Sequence, residues 1–268
     1  MSVGRGRAEL VAQLRELGVR EGGVLLVHTS FRAVRPVEGG PAGLIDALLT
    51  AIGPGGTLVM PSWTGDDEEP FDPAATPASA DLGVVADTFW RLPGAMRSAH
   101  PFALAALGPL AEQITRDPLP LPPHVPESPV GRVHELDGQV LLLGVGHDAD
   151  TTLHLAELIA SVPYRVPKHI TVLQDGRPVR VPYGENDHCC ERFTLADEWL
   201  RGASARAAWA AHSPASPPRA TSFRPPSPTS PAIRSSSSIP PTRVAPTATQ
   251  LARASTDWAH TETQRHRD

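Results

Sequence analysis

Cysteine is scarce in this chain of 268 residues, and the two cysteines that it has are neighbours, Cys189 and Cys190. Two adjacent cysteines cannot form the disulfide framework of a small secreted domain. They also do not supply the two separated ligand pairs of a closed zinc site. The sequence therefore predicts a protein of a reducing compartment, the cytoplasm, with no resident metal.

Long apolar runs and a signal peptide are lacking as well. No apolar stretch reaches transmembrane length, and the opening residues MSVGRGRAEL are too polar for a secretory leader. The Walker A loop, the GxGxxG fingerprint and the GxSxG elbow are also absent. We therefore expect no membrane contact, and no P-loop, Rossmann-type or α/β-hydrolase chemistry.

Charge is divided unevenly along the chain, although the formal net charge is only −5. Residues 201–268 hold nine Arg and three acids, whereas residues 1–200 hold 15 basic and 26 acidic residues. An acidic body suits a cationic small-molecule substrate and disfavours nucleic acid as a partner. Mild acidity that serves solubility alone is the alternative explanation of this charge.

The first 200 residues alternate helix and strand patterns. Apolar spacing predicts helices at Leu10–Leu17, at Pro41–Ile52 and at Gly83–Leu92. Short apolar runs predict strands at Val24–His28, Thr57–Trp63, Phe102–Gly108 and Val140–Leu143, and a hairpin turning at Asp175-Gly176. The pattern predicts an α/β domain over residues 1–200, with a mixed sheet flanked by helices and an antiparallel edge.

After Leu200 the composition changes. Residues 211–250 hold ten Pro and nine Ser, with no helical or strand period. Such a segment cannot bury enough apolar surface to offset its ordering entropy. We therefore expect residues 201–268 to form a Pro-, Ser- and Arg-rich disordered tail.

The stretch QVLLLGVGHDADTTLHLAE, residues 139–157, is the most informative part of the chain. It indicates a buried strand, a glycine turn and a helix that opens near Asp150 and carries His154, with Glu157 one turn later. A histidine there lies where open α/β sheets place their chemistry, and its pKa near neutrality suits a general base. The alternative is a capped helix start with an incidental histidine.

Four further clusters contain residues able to do chemistry: HTSFRAV at 28–34, TGDDEEPFDP at 64–73, RSAHP at 97–101 with HVPESPVGR at 124–132, and YGENDHCCERF at 183–193. The acidic run at 66–72 could form a rim that attracts cations, or an ordinary solvated loop. The other clusters are equally compatible with capping and turn chemistry.

These segments, in this order, resemble the aminoglycoside 3-N-acetyltransferases, and among them the type IV members linked to apramycin and gentamicin resistance. The resemblance is carried by LLVHTSFRAVRP, GPGGTLVMPSW, DEEPFDP, LGVVADTFWRLP, RSAHPFA, LPLPPH, SPVGRVHELDGQVLLLGVGHDADTTLHLAEL and ENDHCCERF. It is dense from about residue 8 to 200. It implies the α/β fold of that family, which is unlike the GNAT fold.

The resemblance implies transfer of acetyl from acetyl-CoA to the 3-amino group of a 2-deoxystreptamine antibiotic. His154 matches the base of the family, and Asp187 or Glu157 would orient it. Asp67, Glu185 and Asp187 fall at positions expected to bind the ammonium groups of the drug. The positions expected to line the coenzyme are Thr29, Ser30, Arg32, Ser98, Ser128, Pro129 and Val130.

The sequence departs from the family in two places. Asp150 stands where an asparagine is expected, and the likeness ends at about Trp199-Leu200. Reading residues 233–249 one base out of frame, with suitable codons, yields the family's missing closing segment, and 209–216 behave similarly. We therefore expect a single-base change between about residues 200 and 208 to have replaced the native C-terminus; a genuine disordered tail is the rival explanation.

Two other functions stay open at this point. One is a C-terminally frameshifted, inactive remnant that binds drug or CoA without turnover. The other is a thiol hydrolase using Cys189 or Cys190, which lacks an evident base partner in the sequence. The oligomeric state is not specified by any of these features.

Overall fold

The computed structural model describes residues 4–116, 121–186, 190–199, 205–207 and 242–245. The helices of this part are α1 Arg7–Glu16, α2 Phe31–Val34, α3 Gly40–Ile52, α4 Gly83–Trp90, α5 Ala111–Thr115, α6 Pro129–Glu135, α7 Thr152–Ile159 and α8 Ala196–Trp199. The strands are β1 Val24–Thr29, β2 Thr57–Pro61, β3 Met96–Arg97, β4 Leu104–Leu107, β5 Gln139–Leu143, β6 Val166–Gln174, β7 Arg177–Glu185, β8 Ala205–Ala207 and β9 Thr242–Ala245. Across the described ranges, no helix is long and apolar enough to cross a membrane.

The main sheet is mixed and has the strand order β3-β4-β2-β1-β5-β9-β8. Strand β1 lies at its centre and pairs in parallel with β2 and with β5. Strand β4 runs antiparallel to β2, and β9 runs antiparallel to β5. The predicted mixed α/β sheet with an antiparallel edge is therefore confirmed.

Strand β1 is apolar along its length because both faces of the sheet are covered. Leu25 and Val27 pack into a layer that includes residues of α1, α3 and α4. Val24 and Leu26 pack into the opposite layer, with residues of α5, α6 and α7. Alternate side chains of a strand point to opposite faces, so a strand covered on both sides reads as a continuous apolar run.

The second long helix shows how local signals fix an element. Pro41 occupies the first turn of α3, and Gly53 follows its last residue. Leu44, Leu48 and Ile52 are fully buried on one face. This spacing of four residues gives the apolar stripe of a helix that covers a sheet, as the sequence predicts.

Strands β6 and β7 form the predicted hairpin. The register pairs Gln174 with Arg177, so the turn consists of Asp175 and Gly176. Both turn residues have positive φ, 50° and 74°. This is the conformation of a two-residue hairpin turn, which Asp-Gly favours because glycine tolerates it without steric cost. The hairpin ends at Glu185 and so brings that carboxylate back to the body of the protein.

Two short parts of the region after Leu200 differ from the predicted disordered tail. Strand β8 pairs with β9, and β9 extends the main sheet beside β5. This region has no strand period in its sequence, but pairing at a sheet edge uses backbone N–H and C=O groups, which every residue except proline provides in full. The remaining residues of the predicted tail lie outside the described residues.

Candidate active site

The carboxyl ends of β1 and β5 meet at the start of α7. Thr29 is in register with Leu143, and the Ser30 N–H donates to the Leu143 carbonyl at 3.0 Å. The His28 Nε2 lies 3.4 Å from the Thr151 hydroxyl, which connects the end of β1 to the beginning of the helix. This edge is where parallel sheets place functional loops.

Asp150 holds the first turn of α7. Its Oδ1 accepts hydrogen bonds from the Thr152 N–H at 2.9 Å and from the Thr152 hydroxyl at 2.6 Å. A carboxylate at a helix N-terminus satisfies an unpaired donor and interacts favourably with the helix dipole. The aspartate that stands in place of the expected asparagine therefore anchors Thr152, the first residue of α7. Burial lowers the pKa of His28, and the nearby Asp150 opposes that effect.

His154 and Glu157 face each other on α7, as their spacing predicts. The His154 Nδ1 lies 3.4 Å from the Glu157 Oε2, and both side chains are largely buried. The Tyr164 hydroxyl donates to the other carboxylate oxygen of Glu157 at 2.6 Å. The carboxylate is thus held between a phenol and an imidazole, an arrangement that orients a catalytic histidine.

Opposing effects set the pKa of His154. Burial lowers it, while hydrogen bonds and charge interactions with Cys190 and Glu157 raise it, and the result is a pKa of about 9. In this environment the imidazolium form is favoured near neutral pH. A histidine with such a pKa is a strong proton acceptor once it is in the free-base form.

Cys190 supplies a contact that the sequence did not predict. Its Sγ lies 3.7 Å from the His154 Nε2. The sequence shows no evident base partner for a thiol hydrolase. In the structure, His154 lies close enough to Cys190 to be such a partner. Cys190 is the first residue of the 3₁₀ turn Cys190–Leu195. Phe193 of the same turn packs edge-to-face against His154, with ring centroids 4.9 Å apart.

A second histidine, His124, stacks on His154. The ring centroids are 4.9 Å apart and the ring planes differ by 25°. His124 also makes an edge-to-face contact with Phe102, with ring centroids 5.9 Å apart. Burial lowers the pKa of His124, with Glu185 opposing that effect. His124 is therefore expected to be neutral beside the cationic form of His154.

Glu185 is a buried carboxylate whose side chain is 6% exposed. Its Oε1 lies 3.8 Å from the His124 Nδ1, too far for a direct hydrogen bond. In the described part of the chain, neither oxygen of Glu185 and neither polar side-chain atom of Asn186 has a hydrogen-bond partner. A buried carboxylate without donors is costly, by several kcal/mol, so this pair is suited to receiving donors from a bound cation.

Asp67 lies against the hairpin rather than against His154. Its backbone carbonyl accepts from the Thr171 hydroxyl at 2.9 Å. Burial raises the pKa of its carboxyl, and the neighbouring Lys168 and His169 oppose this. Of the residues predicted to bind the drug, the structure therefore brings Glu185 close to the His154 stack, while Asp67 lies on the loop beside the hairpin.

Most acids of the run at 66–72 have structural partners. Asp66 and Asp72 accept hydrogen bonds from backbone N–H groups of their own turns. Glu68 accepts from His169 at 2.8 Å and from Arg180 at 2.9 Å on the hairpin. The run thus builds and anchors its loop, and it is not simply a rim of free carboxylates.

Arg97 fixes the other end of this acidic loop. Its guanidinium lies between the rings of Phe71 and Trp90, 4.7 and 4.4 Å from their centroids. It also donates to the carbonyls of Ser62 and Thr76. Burial, assisted by the charge of Arg91, lowers the pKa of Arg97 to about 10. A cavity of about 580 Å³ opens beside this arginine and Trp90.

The positions predicted to line the coenzyme fall into two groups. Thr29 has a buried hydroxyl with no hydrogen-bond partner in the described part, Ser30 precedes α2, and Arg32 lies exposed on α2. The other positions serve the fold. Ser98 Oγ accepts from the Leu104 N–H, and Ser128 Oγ caps α6 by accepting from the Gly131 N–H. Pro129 lies in the first turn of α6, and Val130 lies in the core.

Asp187, His188 and Cys189 lie outside the described residues, so the predicted orienting and drug-binding role of Asp187 stays a prediction. Sequence reasoning missed His124, Tyr164 and the contact of Cys190. The signal available for His124 was its place in a loop rich in proline, which pointed only to turn chemistry.

Comparison with known proteins identifies a family. A model of the aminoglycoside 3-N-acetyltransferase family matches residues 26–213. The chain is 74% identical over 195 residues to aminoglycoside N(3)-acetyltransferase IV of Salmonella sp, which covers 73% of this chain and 75% of that protein.

Solved structures give the same result for the fold. The aminoglycoside acetyltransferase AAC(3)-IVa apoenzyme superposes with a TM-score of 0.82 at 56% identity, covering 96% of this chain and 89% of the other. Its H154A mutant in complex with apramycin superposes with a TM-score of 0.78 at 53% identity, covering 100% and 95% of the two chains.

Proposed function

The chain belongs to the aminoglycoside 3-N-acetyltransferase family, and from that premise we propose how its residues carry out the reaction. The enzyme transfers the acetyl group of acetyl-CoA to the 3-amino group of a 2-deoxystreptamine antibiotic. Acetylation removes a positive charge from the drug, and we propose that the chain acts in antibiotic resistance.

One observation carries the assignment of roles. His154, oriented by Glu157, stacks on a histidine that borders the buried carboxylate of Glu185, which has no hydrogen-bond partner among the described residues. A polyamine substrate needs both a carboxylate that binds its ammonium groups and a base that removes one proton. These two requirements are met by side chains that lie side by side.

The reaction follows from these roles. The 3-amino group is largely protonated near neutral pH, so its nitrogen has no free lone pair until a base takes one proton. His154, with Nδ1 towards Glu157, would accept that proton on Nε2. The amine nitrogen then forms a bond to the acetyl carbon while the carbon–sulfur bond breaks. The imidazolium returns its proton to the departing CoA sulfur, and the second proton of the attacking nitrogen leaves to solvent as the neutral amide forms.

Glu185, Asp67 and Asp187 are proposed to bind the drug. Charge-assisted hydrogen bonds from ammonium groups would satisfy the oxygens of Glu185 that the described residues leave without donors. In AAC(3)-IVa an H154A mutant is found in complex with apramycin, so that protein holds the drug without the mutated histidine, and we propose the same separation of drug binding from base function in this chain.

We propose that acetyl-CoA contacts three residues at and just after the end of β1, namely Thr29, Ser30 and Arg32. The hydroxyl of Thr29 is buried and has no partner within the described ranges. The backbone near Ser98, Ser128, Pro129 and Val130 is proposed to line the same acetyl-CoA site. Since acetyl-CoA is a metabolite of the cell interior, we also propose a cytoplasmic location.

The direct test is release of free CoA by the purified full chain on adding apramycin. Streptomycin, which has no 2-deoxystreptamine ring, is the matched control substrate. We expect CoA release with apramycin, one acetyl group added to the drug by mass spectrometry, and no release with streptomycin. Apramycin binding without CoA release would instead support the inactive remnant.

The contact between Cys190 and His154 is the observation that supports a second candidate route for the same overall reaction. In that route the thiol attacks acetyl-CoA, CoA leaves with the thiol proton, and the acetylated cysteine then passes its acetyl group to the amine. The 3.7 Å separation between Sγ and Nε2 makes this geometrically feasible. Direct transfer requires fewer steps and remains the proposed mechanism.

A further inference from the structure

His124 occupies a position between the base and the buried carboxylate. One side of its ring stacks on His154 at 4.9 Å, and its Nδ1 lies 3.8 Å from the Glu185 Oε1. His124 begins the cluster HVPESPVGR at 124–132, and Pro122, Pro123 and Pro126 around it are equally typical of a turn, so its sequence neighbourhood does not single it out as functional.

The loop that carries His124 is held tightly. The Ser128 N–H donates to the Val125 carbonyl at 2.9 Å, and the Ser128 hydroxyl caps α6 through the Gly131 N–H. A Cβ at Gly131 would meet the Pro126 carbonyl oxygen at 2.1 Å, so only glycine permits this close approach. The position of the His124 ring is therefore fixed by the fold.

The surroundings of His124 keep its ring neutral. Burial lowers its pKa, and Phe102 packs against its ring with the ring centroids 5.9 Å apart. A neutral aromatic face beside an imidazolium is favourable because the ring quadrupole attracts a cation. His124 thus favours the protonated form of His154, which is the form that exists after the base has taken a proton from the substrate.

We propose that His124 is a positioning residue for acetyl transfer. Its neutral ring holds the plane of His154, and its Nδ1 side acts electrostatically on Glu185 across 3.8 Å, without a direct hydrogen bond, so the base and the carboxylate for the ammonium group lie in one unit. This inference rests on the proposed function, and it deepens it by adding a residue that links substrate binding to proton transfer.

Two substitutions separate the two contacts. His124→Phe keeps a flat ring for the stack but removes the nitrogen that faces Glu185. His124→Leu removes both. His134→Leu, on α6 and away from this cluster, is the matched control. Each full-length variant is assayed for kcat and KM with apramycin and for the pH dependence of kcat, with thermal unfolding as a measure of folding.

The expected results differ between the variants. For His124→Phe, KM for apramycin rises about 5-fold or more while kcat stays within about 3-fold of the parent. For His124→Leu, kcat also falls about 10-fold, and its acid limb moves to lower pH because the imidazolium of His154 has lost its aromatic neighbour. Among the residues that the structure describes, the charged and titratable groups that face these two rings are Glu157 on α7, Cys190 on the 3₁₀ turn, and Glu185 on β7.

A purely structural role would lower the unfolding temperature and the folded fraction without separating kcat from KM and without moving the pH limb, and that result overturns the inference. Parental kinetics in both variants overturns it as well. If the parent chain itself releases no CoA with apramycin, the proposed function fails first, and the inference falls with it.

Discussion

At His154, burial and hydrogen bonding act on the pKa in opposite directions, and the hydrogen bonds prevail. The pKa of about 9 means that the ring is protonated in the free enzyme below that pH. Only the free base can accept the substrate proton. We therefore expect kcat/KM to rise with pH, approaching tenfold for each pH unit below about 9.

Glu157→Gln tests the origin of this pKa. The carboxylate raises the pKa of His154, so removing its charge lowers that pKa, and the acid limb of kcat/KM should move to lower pH by about one unit or more. We also expect kcat to fall about 10-fold or more, because the amide stabilises the imidazolium less well. An unmoved limb in a pH titration of CoA release would show that Glu157 does not set the pKa of the base.

Cys190→Ala distinguishes direct transfer from transfer through an acetylated thiol. If His154 acts directly on the amine, the alanine variant should retain kcat within about 10-fold, and mass spectrometry of the parent mixed with acetyl-CoA alone should show no acetyl adduct on the protein. Loss of more than about 1,000-fold in kcat, together with an adduct on Cys190 in the parent, would replace the direct mechanism by the two-step route.

At the scale of the elements, the sequence predicted what depends on local pattern. The apolar runs predicted β1 and β5, and Asp175-Gly176 predicted the hairpin turn. The spacing of His154 and Glu157 predicted their contact, because residues three apart share a helix face. His124 and Cys190 could not be found in this way. They lie 30 and 36 positions from His154 and reach it only through the packing of separate segments.

The acidic loop shows the same limit. Its charges suggested a rim for cations, yet Glu68 binds the hairpin and Arg97 binds the loop backbone from a strand more than 20 residues away. Periodicity carries no information on such long-range pairing. Of the acids in this loop, only Asp67 is still proposed to bind the substrate.

Arg97→Lys tests whether this arginine holds the acidic loop. Lysine cannot lie flat between Phe71 and Trp90 while donating to several carbonyls, so we expect the free energy of unfolding to fall by about 2 kcal/mol. Arg91→Lys is the matched control, since Arg91 also lies over Trp90 but is half exposed, and it should cost less than about 1 kcal/mol. Equal losses in urea unfolding would contradict the role assigned to Arg97.

At the scale of the whole molecule, the main sheet is completed by strands from the region after Leu200. Strand β9 lies within residues 233–249, the segment whose shifted reading yields the closing segment of the family. We propose that residues 1–200 form the acetyltransferase domain and that a single-base change altered the sequence that follows. The Pro-, Ser- and Arg-rich composition of 201–268 supports this proposal.

Restoring the frame tests that proposal. A chain carrying the restored segment should gain several kcal/mol of unfolding free energy, because an apolar strand and helix can bury more apolar surface than a Pro-, Ser- and Arg-rich sequence. Urea unfolding of the two chains measures the difference. Equal stability, or a gene whose codons do not yield the family segment in the shifted frame, would leave a genuine tail as the explanation.

The central claim is that His154 is the base that frees the amine of the drug. The measurement is apramycin-dependent CoA release by the parent chain and by His154→Ala, with apramycin binding to each followed by calorimetry. We predict a loss of about 100-fold to 10,000-fold in kcat, the range for a general base, with the Kd for apramycin within about 3-fold of the parent. An alanine variant that still releases CoA at the parental rate would contradict the account.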